Sequence, residues 1–361
     1  MSPIELKLLP PTGKGNTSAA RVPAAWYPVC RAADLRGGKP LATTLLGHPL
    51  AIYRGEDGRP GALLDRCPHR NVPLTTGRVA GDTLECGYHG WRFDRDGACR
   101  RVPGLCGEAD TRGRRVAAHA AREQEGYIWV YATPDTTPTT DPYRFPHLGE
   151  PGWHSVHDVV EAEATLHAVA ENALDVPHTA FLHGGLFRSD KAERQTIEVV
   201  VRRWHDRVEA QYIGESRPEG IVGRVLAPGG GEVEHHDRFL LPGITEVEYR
   251  LSDRSHIIVS SVLTPLADFH TRLWTVVSFK LPLPGWLVAL LVRPIARRIF
   301  GQDKDMLALQ TRNINRFGGE QYVSTELDAL GPQILRLLRN AERGELTPLA
   351  EPVVKRFQMQ V

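Results

Sequence analysis

Two short stretches decide the fold of the first part of the chain, Cys67-Pro68-His69-Arg70 and Cys86-Gly87-Tyr88-His89-Gly90-Trp91. Sixteen residues, beginning with Arg70, separate His69 from Cys86. Each stretch offers one soft thiolate and one imidazole, and its glycines favour tight turns. Two thiolates and two imidazoles on a pair of loops can hold one metal centre. The pattern therefore predicts a metal site on the two cysteines and two histidines: Cys67, His69, Cys86 and His89.

Two kinds of metal centre suit this set of ligands. Structural zinc sites use Cys and His in fours. In a Rieske [2Fe–2S] cluster the two thiolates bind one iron and the two imidazoles bind the other, which raises the reduction potential. A zinc site has no need of the Tyr-His-Gly-Trp setting after Cys86, so the cluster is favoured. Because the four ligand positions are then filled, Cys99 and Cys106 are expected to be buried free thiols.

Composition divides the chain into four segments. Residues 1–23 are expected to form a polar arm, and residues 24–132 a small all-β domain of short strands separated by Gly and Asp turns. Residues 133–153 hold five prolines and are interpreted as a linker. Residues 154–361 are expected to form an α+β domain, an antiparallel sheet with helices from its C-terminal side. Its strands are expected at 197–201, 207–212, 245–251, 256–263 and 274–281, and its helices at 286–300, 304–317 and 331–345.

Charge and cysteine usage exclude several classes of protein. The formal net charge is +1 and no basic run with interleaved aromatics is found, so nucleic acid is not an expected partner. The longest apolar run, 285–292, is too short to span a bilayer, and the N-terminus lacks the apolar core of a signal peptide. Five cysteines without a regular framework favour a reducing, cytoplasmic setting.

The segment 286–300 is apolar at first and then basic at Arg293, Arg297 and Arg298. Such a helix can lie on a membrane surface. Alternatively, it packs on the sheet or walls a substrate pocket and its arginines are solvated, which is the interpretation we favour.

A second set of metal-ligand residue types lies in Asn172-Ala-Leu-Asp175-Val-Pro177-His178-Thr-Ala-Phe-Leu-His183. Two histidines and one carboxylate on one face of Fe(II) leave positions open for O2 and substrate. Residues five apart are about 140° apart on an ideal helix, so the helix must distort or end between His178 and His183. Asp175 can accept a hydrogen bond from the His178 ring. Without further context, the two histidines can also be ordinary residues and Asp175 a helix cap.

The third ligand of such a site should be a carboxylate far downstream. The candidates are Asp303 and Asp305, in the text Gln302-Asp303-Lys304-Asp305. Either residue could instead simply cap the N-terminus of a helix.

Together these motifs resemble those of the Rieske ring-hydroxylating oxygenases, the aromatic oxygenase alpha-subunit family. Cys-Pro-His-Arg and Cys-Gly-Tyr-His-Gly-Trp resemble the two cluster boxes of that family, and Asn172-x-x-Asp175-x-x-His178-x-x-x-x-His183 resembles its mononuclear-iron motif. Family members carry an acidic or amide residue before the third ligand, so Gln302 favours Asp303 over Asp305. Cytochrome bc-type Rieske proteins are less similar, because their boxes carry two extra cysteines. The resemblance covers about residues 26–338.

This resemblance implies an N-terminal Rieske [2Fe–2S] domain joined to a helix-grip (START-like) catalytic domain with a mononuclear Fe(II). It also implies a head-to-tail homotrimer, in which the cluster of one subunit passes electrons to the mononuclear iron of its neighbour. Asp175 is expected to bridge the two metal sites with support from Asn172, and His69 or His89 to face that bridge.

The sequence resembles vanillate demethylase, aminopyrrolnitrin oxygenase and pheophorbide a oxygenase more than the two-subunit dihydroxylating enzymes. The expected activity is oxidation of a mid-sized hydrophobic small molecule with O2, by hydroxylation, demethylation or amine oxidation. Aromatic cis-dihydroxylation is the alternative within the family. A Rieske electron carrier without oxygenase activity and a zinc-stabilised binding module are the alternatives outside it. No nucleotide fingerprint or ferredoxin cysteine spacing is found, so electrons are expected from a separate NAD(P)H-dependent reductase, directly or through a ferredoxin.

Overall fold

The structure is a computed structural model that describes residues 16–106, 113–183, 195–215, 233–252, 255–282 and 284–360. The chain divides into two compact units. The first unit contains residues 23–144, and the second contains residues 145–360 together with residues 16–22. The division falls inside the proline-rich stretch 133–153, and the individual boundaries predicted from the sequence stay predictions. Residues 1–15 of the predicted arm lie outside the described residues.

The first unit is built from short antiparallel strands in three sheets, with the orders β1-β11-β10, β2-β3-β4-β9 and β5-β6-β7-β8. Its strands are β1 Trp26–Arg31, β2 Leu41–Leu45, β3 His48–Arg54, β4 Pro60–Leu64, β5 Arg78–Ala80, β6 Thr83–Glu85, β7 Arg92–Phe93, β8 Cys99–Arg101, β9 Ala118–His119, β10 Ala121–Gln124 and β11 Tyr127–Tyr131. Two short 3-10 helices span Ala32–Asp34 and Leu74–Thr76. One core cluster of this unit joins Tyr53, Leu63 and Phe93 to the cysteines Cys67 and Cys86, so the cluster loops rest on packed apolar side chains.

The second unit contains one eight-stranded sheet with the order β12-β18-β17-β16-β15-β14-β13-β19. Its strands are β12 His154–Ala162, β13 Thr196–Arg203, β14 Arg207–Ile213, β15 Glu234–Leu240, β16 Ile244–Ser252, β17 Ser255–Ala267, β18 His270–Lys280 and β19 Val353–Gln360. Every pairing in the sheet is antiparallel. The predicted fold class, an all-β domain followed by an antiparallel-sheet α+β domain, is confirmed.

Four α-helices accompany this sheet in the described residues: α1 Leu166–Leu174, α2 His178–Leu182, α3 Gly285–Phe317 and α4 Gly331–Arg343. Helix α1 begins where the Thr165 hydroxyl accepts a hydrogen bond from the backbone N–H of Ala168, at 3.1 Å. Its Leu166 side chain packs so closely on Gly243 that a Cβ atom there would lie 2.9 Å from it. No described helix is long and apolar enough to cross a membrane.

Helix α3 corrects one expectation from the sequence. Two helices, at 286–300 and 304–317, were expected, but α3 is continuous from Gly285 to Phe317 and passes through Pro294. The break was expected at Gly301, but one glycine costs only about 1 kcal/mol in a helix interior. Buried residues on both sides of it, Val288 before and Leu307 and Ile314 after, hold the helix to the unit. Asp303 therefore lies inside a helix, and the alternative that it caps a helix N-terminus is wrong.

A polar cluster is buried on the central strands of the second unit. His235 on β15 is fully buried and stacks between Tyr212 on β14 and Tyr249 on β16, with ring centroids at 4.4 and 4.1 Å. Its Nδ1 lies 2.6 Å from Glu215 Oε2 and its Nε2 lies 3.0 Å from Asp237 Oδ1. Burial alone would lower the pKa of His235, but the two carboxylates raise it to about 9.

Residues 16–22 pack on the second unit although they precede the first unit in the chain. The Arg339 guanidinium donates to the carbonyl oxygens of Thr17 and Ala19. Arg21 forms an ion pair with Asp268 at 3.0 Å. These contacts make the segment an integral part of the second unit.

Candidate functional site: two metal-binding centres

The first centre lies at two adjoining loops of the first unit. One loop follows β4 and is closed by the bond from Cys67 N–H to Val72 O, at 2.9 Å. The other follows β6 and is closed by the bond from Cys86 N–H to Trp91 O, at 2.8 Å. Gly90 has a φ of +70°, a conformation that other residues resist. The structure therefore brings the two predicted boxes together as a matched pair of turns.

The four predicted ligand residues separate into a buried pair and an outer pair. Cys67 and Cys86 are 1% and 2% exposed. The rings of His69 and His89 lie 4.5 Å apart and nearer the surface, and the His69 ring stacks on Trp91 with centroids at 4.7 Å. The close approach of the loops depends on Gly87, since a Cβ atom there would lie 2.6 Å from Thr76 O.

The chemistry of this donor set fits a Rieske cluster. Burial raises the pKa of the Cys67 thiol to about 11, and Cys86 beside it adds to the shift, so Cys67 needs a metal to become a thiolate. Burial and the neighbouring His89 lower the pKa of His69, which favours the neutral, ligating form. His69 Nδ1 is buried and makes no hydrogen bond within the described part of the chain. Two adjacent thiols inside and two imidazoles outside match the ligand division of this cluster.

The other two cysteines of this region differ from each other. Cys99 is buried in the same core as Cys67 and Cys86, as expected from the sequence. Cys106 is exposed, so its expected burial is wrong. It follows the turn after β8 and lies at the end of the described range 16–106.

The second centre forms where α1, α2 and α3 meet in the second unit. Helix α1 ends at Leu174 with Asp175 as its C-cap, and α2 begins at His178 directly after Pro177. Because Pro177 has no backbone N–H, it favours this break between the helices. Helix α2 ends at Leu182, so His183 follows its last turn, as the five-residue spacing required. Gly184 and Gly185, which follow His183 in the sequence, lie outside the described residues.

Asp303 completes this centre from the middle of α3. Its Oδ1 lies 3.1 Å from His183 Nε2 and 3.6 Å from His178 Nε2. One ligand atom from each of the three residues lies within 4.8 Å of the other two. Asp305 is exposed and is not part of this group. Among the described residues, this is the one such group of three potential metal ligands.

Neighbouring side chains fix the orientation of both imidazoles. Asp175 Oδ2 accepts from the backbone N–H of His178 and from its Nδ1, both at 3.2 Å. His183 Nδ1 donates to Gln302 Oε1 at 3.0 Å. In each ring the Nδ1 position is thus engaged, so Nε2 is directed towards the shared centre. Asn172 Nδ2 donates a long hydrogen bond of 3.5 Å to Asp303 Oδ1.

Gln302 is the functional residue whose role the sequence did not predict. It was noted only as the residue before Asp303. On α3 it directly precedes Asp303, in the same helical turn, so one helix supplies both a ligand and the partner of a second ligand. The adjacent pair Gln302-Asp303 was the available signal.

The electrostatics of the second centre favour a cation. Burial alone would lower the pKa of His178, but Asp175 and Asp303 outweigh it and raise the pKa to about 9. Burial opposes the charge of Asp303, yet the two imidazoles hold its pKa below its usual range. His183 Nε2 is buried and, although close to Asp303, is out of hydrogen-bond alignment with every described partner. Two imidazoles and one carboxylate converging on one point fit the facial set of non-haem Fe(II).

Comparison with known proteins identifies both units. Residues 25–109 match the family model of the Rieske [2Fe–2S] domain. Residues 162–344 match the model of the vanillate O-demethylase oxygenase C-terminal domain. The fold and the two centres thus define a two-domain iron protein with a Rieske cluster domain. The chain belongs to the Rieske oxygenase family, in the branch with a vanillate O-demethylase-type C-terminal domain.

Curated relatives are similar in sequence, and solved structures share the fold. The oxygenase component of dicamba O-demethylase from Stenotrophomonas maltophilia is 33% identical over 180 residues, 49% of this chain and 52% of that protein. The vanillate O-demethylase oxygenase subunit of Pseudomonas sp. is 25% identical over 346 residues, 87% of this chain and 93% of that protein. The crystal structure of dicamba monooxygenase bound to 3,6-dichlorosalicylic acid has a TM-score of 0.75 at 23% identity and covers 91% of this chain and 99% of that chain. Three of the curated relatives are matched over only 29%, 52% and 60% of their own length.

The comparisons confirm the family and enzyme class predicted from the motifs, an oxidoreductase of the Rieske non-haem iron type. They also confirm the predicted cofactors, since the Rieske domain binds a [2Fe–2S] cluster and the family uses a mononuclear iron. The assignment of individual ligands stays a prediction, with the geometry above in its support.

Proposed function

We propose that this protein is the oxygenase component of a multicomponent system that uses O2 and external electrons to oxidise a mid-sized hydrophobic small molecule. Hydroxylation, demethylation and amine oxidation are the reaction types in view. The observation that carries the proposal is the convergence of His178, His183 and Asp303 in a chain that also holds a pair of Rieske loops. An electron carrier would have no need of the second centre.

Each centre has a proposed set of ligands. Cys67, His69, Cys86 and His89 would hold the cluster, and His178, His183 and Asp303 would hold the mononuclear iron. When bound, the cluster supplies single electrons and the mononuclear iron activates O2. The other side chains of the site contribute by orienting the metal ligands. Asp175 and Gln302 hold the two imidazoles in the tautomer that leaves Nε2 for the metal.

Asp175 is proposed to link two subunits of a head-to-tail homotrimer. Both of its hydrogen bonds to His178 use Oδ2, and its side chain is 30% exposed. Its other oxygen can therefore accept a hydrogen bond from a cluster imidazole of the neighbouring subunit. Asn172, which contacts Asp303, would support the same region of the site.

The substrate and partners are proposed from relatives. One relative is named as an O-demethylase acting on dicamba, one as a vanillate O-demethylase and one as a chloroacetanilide N-alkylformylase. These names favour a small aromatic substrate. A separate NAD(P)H-dependent reductase, directly or through a ferredoxin, would supply electrons. A cytoplasmic setting is proposed from the cysteines, which are all free of disulfides.

A substrate screen with a surrogate reductase tests this proposal. Purified holoprotein is incubated with candidate methoxy-, N-alkyl- and methyl-substituted aromatics under 18O2, and products are analysed by mass spectrometry. We expect substrate-dependent NADH consumption, coupled to 18O in a product or to release of formaldehyde. Iron content of about three per chain is expected, against about two for a carrier and none for a zinc module. A red-brown protein with two irons per chain and no second iron site would overturn the oxygenase proposal.

Substitution of Asp175 tests the link between subunits. We expect Asp175→Ala to keep both metals and the trimer but to slow turnover severely. Reduction of the cluster by the reductase should remain fast, since all four proposed cluster ligands are unchanged. Normal turnover in a trimeric, iron-replete variant would contradict the bridging role.

A further inference from the structure

The first half of α3 carries an exposed face that changes from apolar to basic along the helix. Trp286 and Leu290 are 72% and 64% exposed, and Arg293 and Arg297 are exposed in the following turns. Their spacings of four, three and four residues place all four side chains within about 60° of one another on an ideal helix. We call these four residues the α3 face.

The exposure does not come from loose packing of the helix. Val288, on another side of α3, is 1% exposed and packs with Val156, Val277 and Phe279 of the sheet. At the start of the helix, a Cβ atom on Gly285 would lie 2.2 Å from the His154 ring. The sheet therefore fixes α3, and the α3 face is held outward by that packing.

The charge of this segment is entirely of one sign. Residues 285–302 contain three arginines and no Asp or Glu. Arg297 approaches Asp158 at 4.0 Å, yet its side chain stays 74% exposed. Arg293 and Arg298 are exposed and form no ion pair with any residue that the structure describes. The basic end is therefore available to an anionic partner.

We propose that the α3 face docks on the surface of an anionic lipid bilayer. Large exposed apolar side chains grouped on one surface mark an interaction site, and Trp is favoured at the membrane–water interface. Interfacial helices bury their apolar part by about 5–10 Å. At 1.5 Å per residue, Arg293 and Arg297 lie about 10 and 16 Å from Trp286 along the axis. With Trp286 and Leu290 inserted, the arginines reach the phosphates, which guanidinium groups bind in a bidentate manner.

This proposal is independent of the proposed oxidation, because none of the four residues belongs to either metal centre. Its physical basis is the match between a basic helix end and anionic headgroups, reinforced by apolar insertion. A second copy of the chain is the competing occupant of the same face, and the experiment separates the two.

Vesicle sedimentation of the full-length holoprotein tests the proposal. Vesicles of phosphatidylcholine alone are compared with vesicles that also contain phosphatidylglycerol. We expect at least about tenfold stronger binding to the anionic vesicles, weakened at high ionic strength. The double variants Trp286→Ser/Leu290→Ser and Arg293→Glu/Arg297→Glu should each bind the anionic vesicles at least about tenfold more weakly.

Matched controls use exposed residues elsewhere. Val323→Ser/Val354→Ser removes apolar side chains that are 91% and 51% exposed, and Lys39→Glu/Lys355→Glu makes the same change in net charge outside α3. Both controls should bind within about twofold of the unchanged protein. Absence of binding, equal binding to neutral vesicles, or equal loss in the controls would overturn the proposal. The proposal would also be overturned if the unchanged protein does not bind vesicles and the α3-face variants differ from it in oligomeric state, measured by light scattering. That result would assign the face to a second copy of the chain.

Discussion

His183 and Gln302 form a 3.0 Å hydrogen bond between the imidazole Nδ1 and the side-chain amide oxygen. The bond joins the residue after α2 to the middle of α3 and fixes which ring nitrogen faces Asp303. Orientation of one ligand thus depends on the residue next to another ligand.

Replacing Gln302 should weaken iron binding without removing a ligand. Gln302→Leu takes away the acceptor of His183 Nδ1–H, and loss of such a partner typically weakens metal binding by about 10–100-fold. Titration of the mononuclear site with Fe(II) under anaerobic conditions measures the change. Gln302→Glu keeps an acceptor and should restore most of the affinity. The control Gln358→Leu, on exposed β19, should bind Fe(II) normally. Unchanged affinity in Gln302→Leu would show that Gln302 does not orient the ligand.

Asp303 and Asp305 provide a direct comparison of two neighbouring carboxylates. Asp303→Ala removes the oxygen that lies 3.1 Å from His183 Nε2, whereas Asp305 is exposed. We expect the iron content of Asp303→Ala to be about two per chain instead of about three, and its visible cluster spectrum to be unchanged. Asp305→Ala should keep all three. Metal analysis by mass spectrometry checks both variants, and loss of iron in Asp305→Ala alone would reverse the assignment.

Cys67 and Cys99 are both 1% exposed and share one core cluster, yet only Cys67 is proposed as a ligand. Cys67→Ser should lose the [2Fe–2S] absorption in the visible range. Cys99→Ser should retain it, because the change affects packing and not ligation. Visible absorption and sulfide analysis of the purified variants give the result. A colourless Cys99→Ser protein that is still folded by circular dichroism would make Cys99 a participant in the cluster site.

His235 should make the stability of the second unit depend on pH. Its folded pKa of about 9 lies above the ordinary value of 6.5, so the folded state binds the proton more tightly than the unfolded state. The resulting stabilisation is complete below pH 6.5 and is lost as the pH rises towards 9. Its size is on the order of 3 kcal/mol. Urea unfolding followed at both ends of this range should therefore show a loss of stability at high pH.

Two variants isolate the contribution of His235. His235→Gln cannot take up the proton and should lose this part of the pH dependence. His236→Gln, on the opposite face of β15, should retain it. An unchanged slope in His235→Gln would show that other groups cause the effect.

The motif residues could be proposed from the sequence because metal ligation requires a strict pattern of residue types. His178 and His183 were expected to need a helix end between them, and α2 ends at Leu182. Asp303 could be preferred over Asp305 only through the resemblance, because nothing local shows that α3 turns the first towards the histidines. The contact of Gln302 with His183 spans 119 residues and has no local signature.

Strands β12, β15 and β19 were not predicted. In β15, Glu-His-His-Asp-Arg-Phe-Leu, the buried positions include His235 and Asp237, so the usual apolar–polar alternation is absent. Burial is tolerated there because Glu215 and two tyrosine rings surround His235. In β19 most side chains are exposed, and the strand exists through its pairing with β13. These stabilising contacts come from residues distant in the sequence, so a short stretch of sequence does not reveal them.

The position of residues 16–22 has a consequence for dividing the protein. Because these residues pack on the second unit, residues 23–144 of the Rieske unit are joined to the second unit at both of their ends. A truncated protein that begins at residue 145 would lack the segment 16–22, which Arg339 and Asp268 bind to the second unit. A Rieske unit from a relative should therefore replace residues 23–144 alone. The hybrid protein should keep residues 16–22 and the residues from 145 onward from this chain.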